Sequence, residues 1–191
     1  MKISAIVLTF NESIHLDRCI NNIKNVTNDI FIVDSFSDDN TKEIADVNKT
    51  RFLERKFDNH SRQFNWALSQ IDHDTDWVLR IDADEILTDG LISEINEKLP
   101  KLKNDIHAIF VPRSVNFQGR LIRYGGVYPN MLIRLFRFQK CICEDRWMDE
   151  HIRTSGKTED FKNKIIDYNL KPITWWIDKH NSYSSKQAIE L

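Results

Sequence analysis

Ile3-Ser4-Ala5-Ile6-Val7-Leu8-Thr9 is β-rich and almost continuously apolar. A strand covered on both faces by helices has that composition, because neither side of it meets water. The run is too short for a signal peptide or a membrane span, and no basic segment precedes it. Asn11-Glu12-Ser13 then offers cap chemistry, and Leu16, Ile20 and Ile23 recur at helical spacing through about Lys24. A second strand is expected over Asp29 to Asp34. The polar stretch Ser35 to Thr41 follows it, and then a short helix to about Val47. Arg51 to Glu54 fits a third strand, His60 to Ile71 a helix with Phe64, Leu68 and Ile71 on one side, and Trp77 to Ile81 a fourth strand.

Strands alternating with helices over short connections predict βαβ units and a mainly parallel sheet flanked by helices, an α/β architecture of Rossmann type. Ligands of such sheets lie at the carboxyl ends of the strands. Three polar clusters sit there in succession: Thr9-Phe10-Asn11-Glu12, Asp34-Ser35 and Asp82-Ala83-Asp84-Glu85. A purely structural account does not require three of the four strands to end in such groups.

The second half has a different texture. A helix is expected over Leu91 to Leu102 and a strand over Ile106 to Pro112. A stretch rich in Arg, Gly and aromatics runs from Arg113 to Pro129, followed by an alternating strand, Met131 to Phe138. Arg146 to Ile152 carries acids and a histidine. The helix expected from Trp175 stops at Leu191 in mid-pattern without a Gly or Asn cap, so the natural chain is expected to continue. The whole is read as one domain over 1–191.

Bulk properties exclude some classes. A formal charge of -2 over 191 residues gives no global field toward nucleic acid. An odd count of three cysteines, Cys19, Cys141 and Cys143, fits reduced thiols in a cytoplasmic protein rather than a disulfide framework. No second cysteine pair completes a tetrahedral zinc site with Cys141 and Cys143, which are expected on one face of a strand.

Asp82 and Asp84 alternate across one residue, so in extended backbone they point to the same side. Two hard carboxylates there suit a divalent cation such as Mg2+ or Mn2+, completed by diphosphate oxygens and water. A D-x-D triplet alone is weak evidence. At the end of Trp77-Val78-Leu79-Arg80-Ile81, and echoed by the acid after the second strand, it is a candidate metal site.

Three segments then carry a specific resemblance. Ile6 to Glu12, Ile32 to Thr41 and Trp77 to Glu85 resemble glycosyltransferase family 2, and their order and spacing match the nucleotide-binding half of the GT-A fold. Arg123 to Pro129, Arg134-Leu135-Phe136-Arg137, Glu150-His151 and Trp176 to Ser184 resemble a branch containing lipopolysaccharide core β-1,4-glucosyltransferases. The resemblance implies a nucleotide-sugar-binding half over 1–100 and a smaller acceptor-side β/α half over 101–191.

It also implies residue roles. Thr9, Phe10 and Glu12 would line the base and ribose pocket, with Phe10 stacked on the base, and Asp34 and Ser35 would lie near base or ribose. Many members carry a second acid where this chain has Ser35. Arg62, or its neighbour Gln63, sits where members often place a residue facing the nucleotide. Asp82 and Ala83 would adjoin the ribose, Asp84 would coordinate the metal with Asp82, and His180 is a candidate further ligand. Inverting transfer needs a carboxylate to take the acceptor proton; Glu150 is the first candidate, with Asp149 and Asp145 as alternatives. Lys179 and Arg123 are candidates for phosphate or an anionic acceptor. Trp147, Trp175 and Trp176 are candidate sugar platforms, at least two of them expected in the core.

The implied activity is transfer of a hexose, with UDP-glucose as the expected donor, to a glycan or lipid-linked glycan acceptor. Contact with the cytoplasmic face of a membrane would use Arg120, Arg123, Arg134 and Arg137. A nucleotidyltransferase would carry a basic Gly-rich loop after the first strand, where this chain has Phe10-Asn11-Glu12. A non-catalytic nucleotide-sugar or carbohydrate-binding module is the alternative of a different class.

Overall fold

The computed structural model describes residues 1–125, 127–146 and 151–190, apart from the side chains of 186–190. In chain order it contains β1 (Ile3–Thr9), α1 (Ser13–Ile23), β2 (Asp29–Asp34), α2 (Thr41–Val47), β3 (Arg51–Glu54), α3 (His60–Ser69) and β4 (Trp77–Arg80). The chain continues with β5 (Glu85–Leu87), α4 (Asp89–Lys98), β6 (Ile106–Phe117), β7 (Arg120–Leu121), β8 (Asn130–Arg137) and β9 (Cys141–Cys143). Last come β10 (Ile152–Thr154), β11 (Lys157–Asp160), β12 (Ile165–Asp167) and α5 (Ile173–Glu190).

One large sheet has the order β3-β2-β1-β4-β8-β6-β12-β5. The first four strands are all parallel, in the register Thr9↔Asp34 between β1 and β2 and Ile6↔Arg80 between β1 and β4. This brings the carboxyl ends of β1, β2 and β4 to one edge, as the α/β reading requires. β8 then enters antiparallel to β4 and β6, and β12 lies parallel to β6 and antiparallel to β5. β9 and β10 form a separate ribbon.

The continuous apolarity of β1 has the predicted cause. Ile3, Ala5 and Val7 enter one core cluster with Leu16, Ile20, Leu91 and Ile95 from α1 and α4. Ile6 enters a second cluster with Phe64 and Ala67 of α3 and Phe136 of β8. Alternate residues of the strand therefore face different helical layers, and both faces are dry.

Several local expectations need correction. The N-terminus of α1 is not capped by the side chain of its N-cap residue, Glu12. Asp39 from the β2–α2 loop accepts from Ser13 N at 3.0 Å instead, because the Glu12 carboxylate is engaged elsewhere. β6 does not end at Pro112 but runs to Phe117, with β8 and β12 paired along it. Trp175 and Trp176 are not core: Trp175 is half-buried and Trp176 is 39% exposed, whereas Trp77 is fully buried. The three cysteines are free; Cys143 is buried and Cys141 half-buried, with Ile142 between them exposed.

Glu94 of α4, 6% exposed, ties that helix to the turn before β12. It accepts from Lys98 Nζ at 2.7 Å, from Asn163 N and Nδ2 at 2.9 Å each, and from Lys162 N at 3.1 Å. Burial opposes ionisation, but these donors outweigh it and hold the carboxyl down at about 2. The stabilisation is therefore complete above the ordinary carboxylate pKa and is lost as pH falls through about 2. Glu94→Gln should cost about 1–3 kcal/mol at neutral pH by urea unfolding. Its deficit relative to wild type should shrink between pH 4.5 and the acid limit; a deficit independent of pH would contradict the ionised clamp.

Candidate active site

The edge defined by β1, β2 and β4 opens into a cavity of about 1020 Å³. Thr9, Phe10, Glu12, Ser35, Asp82, Ala83 and Asp84 all line it. Phe10 is 58% exposed, so it is not core filling, and its ring is available to an apolar planar ligand.

Of two expected neighbouring pairs, Asp34/Ser35 and Arg62/Gln63, only one member each lines the cavity. Asp34 is 1% exposed and does not line the cavity. Its carboxylate accepts from Thr9 Oγ1 at 2.8 Å and from Ser37 N and Oγ at 2.6 Å each, so it braces the ends of β1 and β2. Ser35 occupies the lining at that strand end. On α3, Arg62 points outward to Asp58 at 2.7 Å and Asp145 at 3.2 Å. His60 and Gln63, three residues apart on the same helix face, line the cavity in its place.

The acids of the β4–β5 loop sit in a cationic surround. Arg134 of β8, 4% exposed, pairs with fully buried Glu85 and reaches Asp82 Oδ2 at 3.2 Å. Arg113 of β6 lies 3.2 Å from Glu85 and also pairs with Asp167. Desolvation raises the pKa of Asp82, but Arg134, Arg80 and Arg113 outweigh it and hold the carboxyl well below the usual range. Burial pushes Glu85 up against the pull of Arg134, and Asp82 adds to the rise. Asp82 is thus the ionised, cavity-facing acid, its side chain 47% exposed, while Glu85 is the enclosed one.

Asp84 Oδ2 accepts from Asn169 Nδ2 at 2.8 Å. Oδ1 of both Asp82 and Asp84 has no hydrogen bond among the described residues. Two hard oxygen donors on one wall fit Mg2+ or Mn2+. Among the described residues no cluster of three His, Cys, Asp or Glu side chains is arranged to hold a metal, so diphosphate and water oxygens would complete the shell. His180 is not a cavity residue. Lys179 and Tyr183, one turn apart on α5, line the cavity, while the His180 ring stacks on Trp176 at 3.8 Å and its Nδ1 bonds Trp176 O at 2.8 Å.

Asp167 was missed by sequence reasoning. It lines the cavity from β12, and burial and neighbouring Asp84 raise its carboxyl while Arg113 opposes. Its only local signal is an acid ending the short run Ile165–Asp167. Pairing with Glu85 of β5 and Val115 of β6 brings it to the site. Arg80 and Arg113 also line the cavity; in the sequence they stand only as a strand residue and as a member of the Arg-rich stretch. His151 lines the cavity and bonds Glu144 at 2.9 Å. Asp149 and Glu150, the candidate bases, and Trp147 lie outside the described residues.

Two of the four arginines expected at a membrane are used internally. Arg134 is buried as described, and Arg137 donates to Ile106 O at 2.9 Å and lies over Trp77. Arg120 and Arg123 are exposed. No helix of the described residues is long and apolar enough to cross a membrane.

Comparison with known proteins agrees with this geometry. The chain is 38% identical over its whole length to "Uncharacterized glycosyltransferase RP128" of Rickettsia prowazekii (strain Madrid E), and spans 68% of that relative. The solved structure of S. aureus TarS 1-349 in complex with UDP-GlcNAc matches with a TM-score of 0.62 at 14% identity, over 90% of this chain and 60% of that one. Mannosyltransferase PcManGT from Pyrobaculum calidifontis, in complex with GDP-Man and Mn2+, matches with a TM-score of 0.50 at 20% identity, over 59% of this chain and 35% of that one. At such identities these structures speak for the fold, which is that of the GT-A glycosyltransferases. Residues 4–152 match the family described as "Glycosyl transferase family 2", and the chain belongs to that family.

Proposed function

We propose that the chain binds a nucleotide-sugar donor across the ends of β1, β2 and β4 and transfers its sugar, with inversion, to a hydroxyl of a glycan. The convergence of Thr9, Phe10, Glu12, Ser35, Asp82 and Asp84 on one cavity edged by Arg80, Arg113 and Lys179 supports this reading. Phe10 stacks on the base, Glu12 and Ser35 lie at the ribose side, and the cations take the diphosphate. Asp82 and Asp84 would hold Mg2+ or Mn2+, which would neutralise charge developing on the leaving diphosphate. The 1–100 half carries the donor, the 101–191 half the acceptor, and the two act as one unit.

The finer assignment rests on the branch resemblance: a hexose donor, UDP-glucose first, and a cell-surface glycan such as a lipopolysaccharide core. A lipid-linked acceptor would bring the protein to a membrane face, with exposed Arg120 and Arg123 as the contacts. Glu150 is the proposed base, with Asp149 its neighbour. Asp167 is a second reading, favoured by its raised carboxyl on the cavity wall beside Asp84.

Calorimetric titration with UDP, with and without Mn2+, tests the donor site. Wild type should bind in a metal-dependent manner, and Asp84→Ala should weaken that binding by more than about tenfold; UDP affinity indifferent to both metal and Asp84 sinks the metal assignment. Phe10→Ala should lower UDP affinity by roughly three- to tenfold with an unchanged melting temperature, since the ring is exposed. An equal loss of stability would return Phe10 to a packing role. Glu150→Gln should bind donor normally yet lose about 10²–10⁴ in turnover. Full turnover in Glu150→Gln with loss in Asp167→Asn would move the base to β12. Donor binding without transfer or hydrolysis by wild type would favour the non-catalytic module.

A further inference from the structure

His15 is a fully buried polar side chain that the donor-site reading does not use. His15 lies on α1, 0% exposed, one turn from Glu12. Its Nδ1 is 2.6 Å from Glu12 Oε2, and its Nε2 accepts the backbone N–H of Leu170 at 2.8 Å. The second contact decides the tautomer. A backbone N–H only donates, so Nε2 must carry the lone pair, and the proton sits on Nδ1, directed at the Glu12 carboxylate.

The segment that His15 holds is a strap that ties Glu12 to Asp84. Tyr168 N donates to Asp84 O at 2.8 Å, and Asn169 Nδ2 donates to Asp84 Oδ2 at 2.8 Å. Lys171 N donates back to Asn169 Oδ1 at 2.8 Å, which orients that amide, and Lys171 Nζ reaches Glu12 Oε1 at 2.7 Å. Arg18, one turn beyond His15 on α1, donates to Tyr168 O at 2.7 Å. Both oxygens of Glu12 are therefore fixed, one by α1 and one by the strap. One Asp84 oxygen is fixed by the strap as well. His15 touches both halves of this arrangement and does not itself line the cavity.

We propose that His15 is a positioning residue of the donor site: its Nδ1–H tautomer locks the Glu12 carboxylate and the 168–171 strap, and through Asn169 it orients Asp84. The inference rests on the donor-site reading for its effect on binding, while the tautomer and the strap are properties of the protein without ligand. An acid left to rotate would present its oxygens to the donor in several arrangements, and the affinity would fall without any loss of a contacting group.

The test uses His15→Asn, whose amide can replace Nδ1 but not Nε2, and His15→Gln, whose amide oxygen can replace the Nε2 acceptor. Asn169→Ala, at a part-exposed site, removes the strap's bond to the Asp84 carboxylate without opening the core. On wild type, 15N correlation spectra of the His15 ring should report the Nδ1–H tautomer, and the Leu170 and Tyr168 amides should be protected from exchange. His15→Asn should expose those two amides to faster exchange, and His15→Gln should keep most of the protection.

With UDP and Mn2+, at a temperature where circular dichroism shows each variant folded, His15→Asn and Asn169→Ala should each lose about tenfold in affinity, the equivalent of one hydrogen bond to a charged group. His15→Gln should lose less. An Nε2–H tautomer, or a His15→Asn protein whose Leu170 and Tyr168 amides exchange as in wild type, overturns the positioning role. Exchange that changes while UDP affinity does not reduces His15 to a structural residue. A wild type that does not bind UDP removes the donor-site reading, and the tautomer and exchange data then decide whether His15 sets the strap.

Discussion

A buried guanidinium joins the two halves of this protein. Arg134 comes from β8, the strand inserted antiparallel beside β4, and it meets Glu85 and Asp82 just past the end of β4. An uncompensated charge at 4% exposure would be strongly unfavourable, so the guanidinium and the Glu85 carboxylate require each other. Arg113 of β6 approaches the same Glu85 and extends the pairing to Asp167 of β12. Strands distant in sequence are thereby held in one alignment around the loop that carries Asp82 and Asp84.

The arrangement divides labour among similar side chains by environment. Asp82 and Glu85 are near neighbours in sequence and share Arg134, yet Asp82 opens to the cavity and Glu85 is sealed. Asp34 and Ser35 divide in the same way at β2: the acid is buried as a brace for Thr9 and Ser37, and the serine meets the cavity. Acids that face the cavity and acids that brace its wall are chemically identical. Only their burial and partners separate them.

The elements from β1 to β4 were legible because they are local and periodic, whereas β5, three residues long, was not foreseen. The β1, β2 and β3 boundaries were predicted as they stand, and β1 was recognised from apolarity on both faces. The Cys141 and Cys143 strand was read from alternation alone. The β12 contribution was not legible, since three residues in a strand carry almost no periodic signal and Asp167 acquires meaning only from its pairing with β5 and β6. His180 and Arg62 failed for a different reason. Their chemistry was suitable, but helix phase turns them from the cavity; of the residues there instead, Gln63 and Lys179 were named as candidates from the sequence and His60 and Tyr183 were not.

What the sequence determined by itself, then, is the parallel α/β half and the polar ends of its strands, because backbone periodicity and burial on both faces are written into consecutive residues. Tertiary structure alone decided which of those polar groups face the cavity and which brace its wall. The reason is physical. Hydrogen bonds such as Leu170 N to His15 Nε2, and ion pairs such as Arg134 to Glu85, join residues far apart in the chain, and their partners exist only once the sheet has closed.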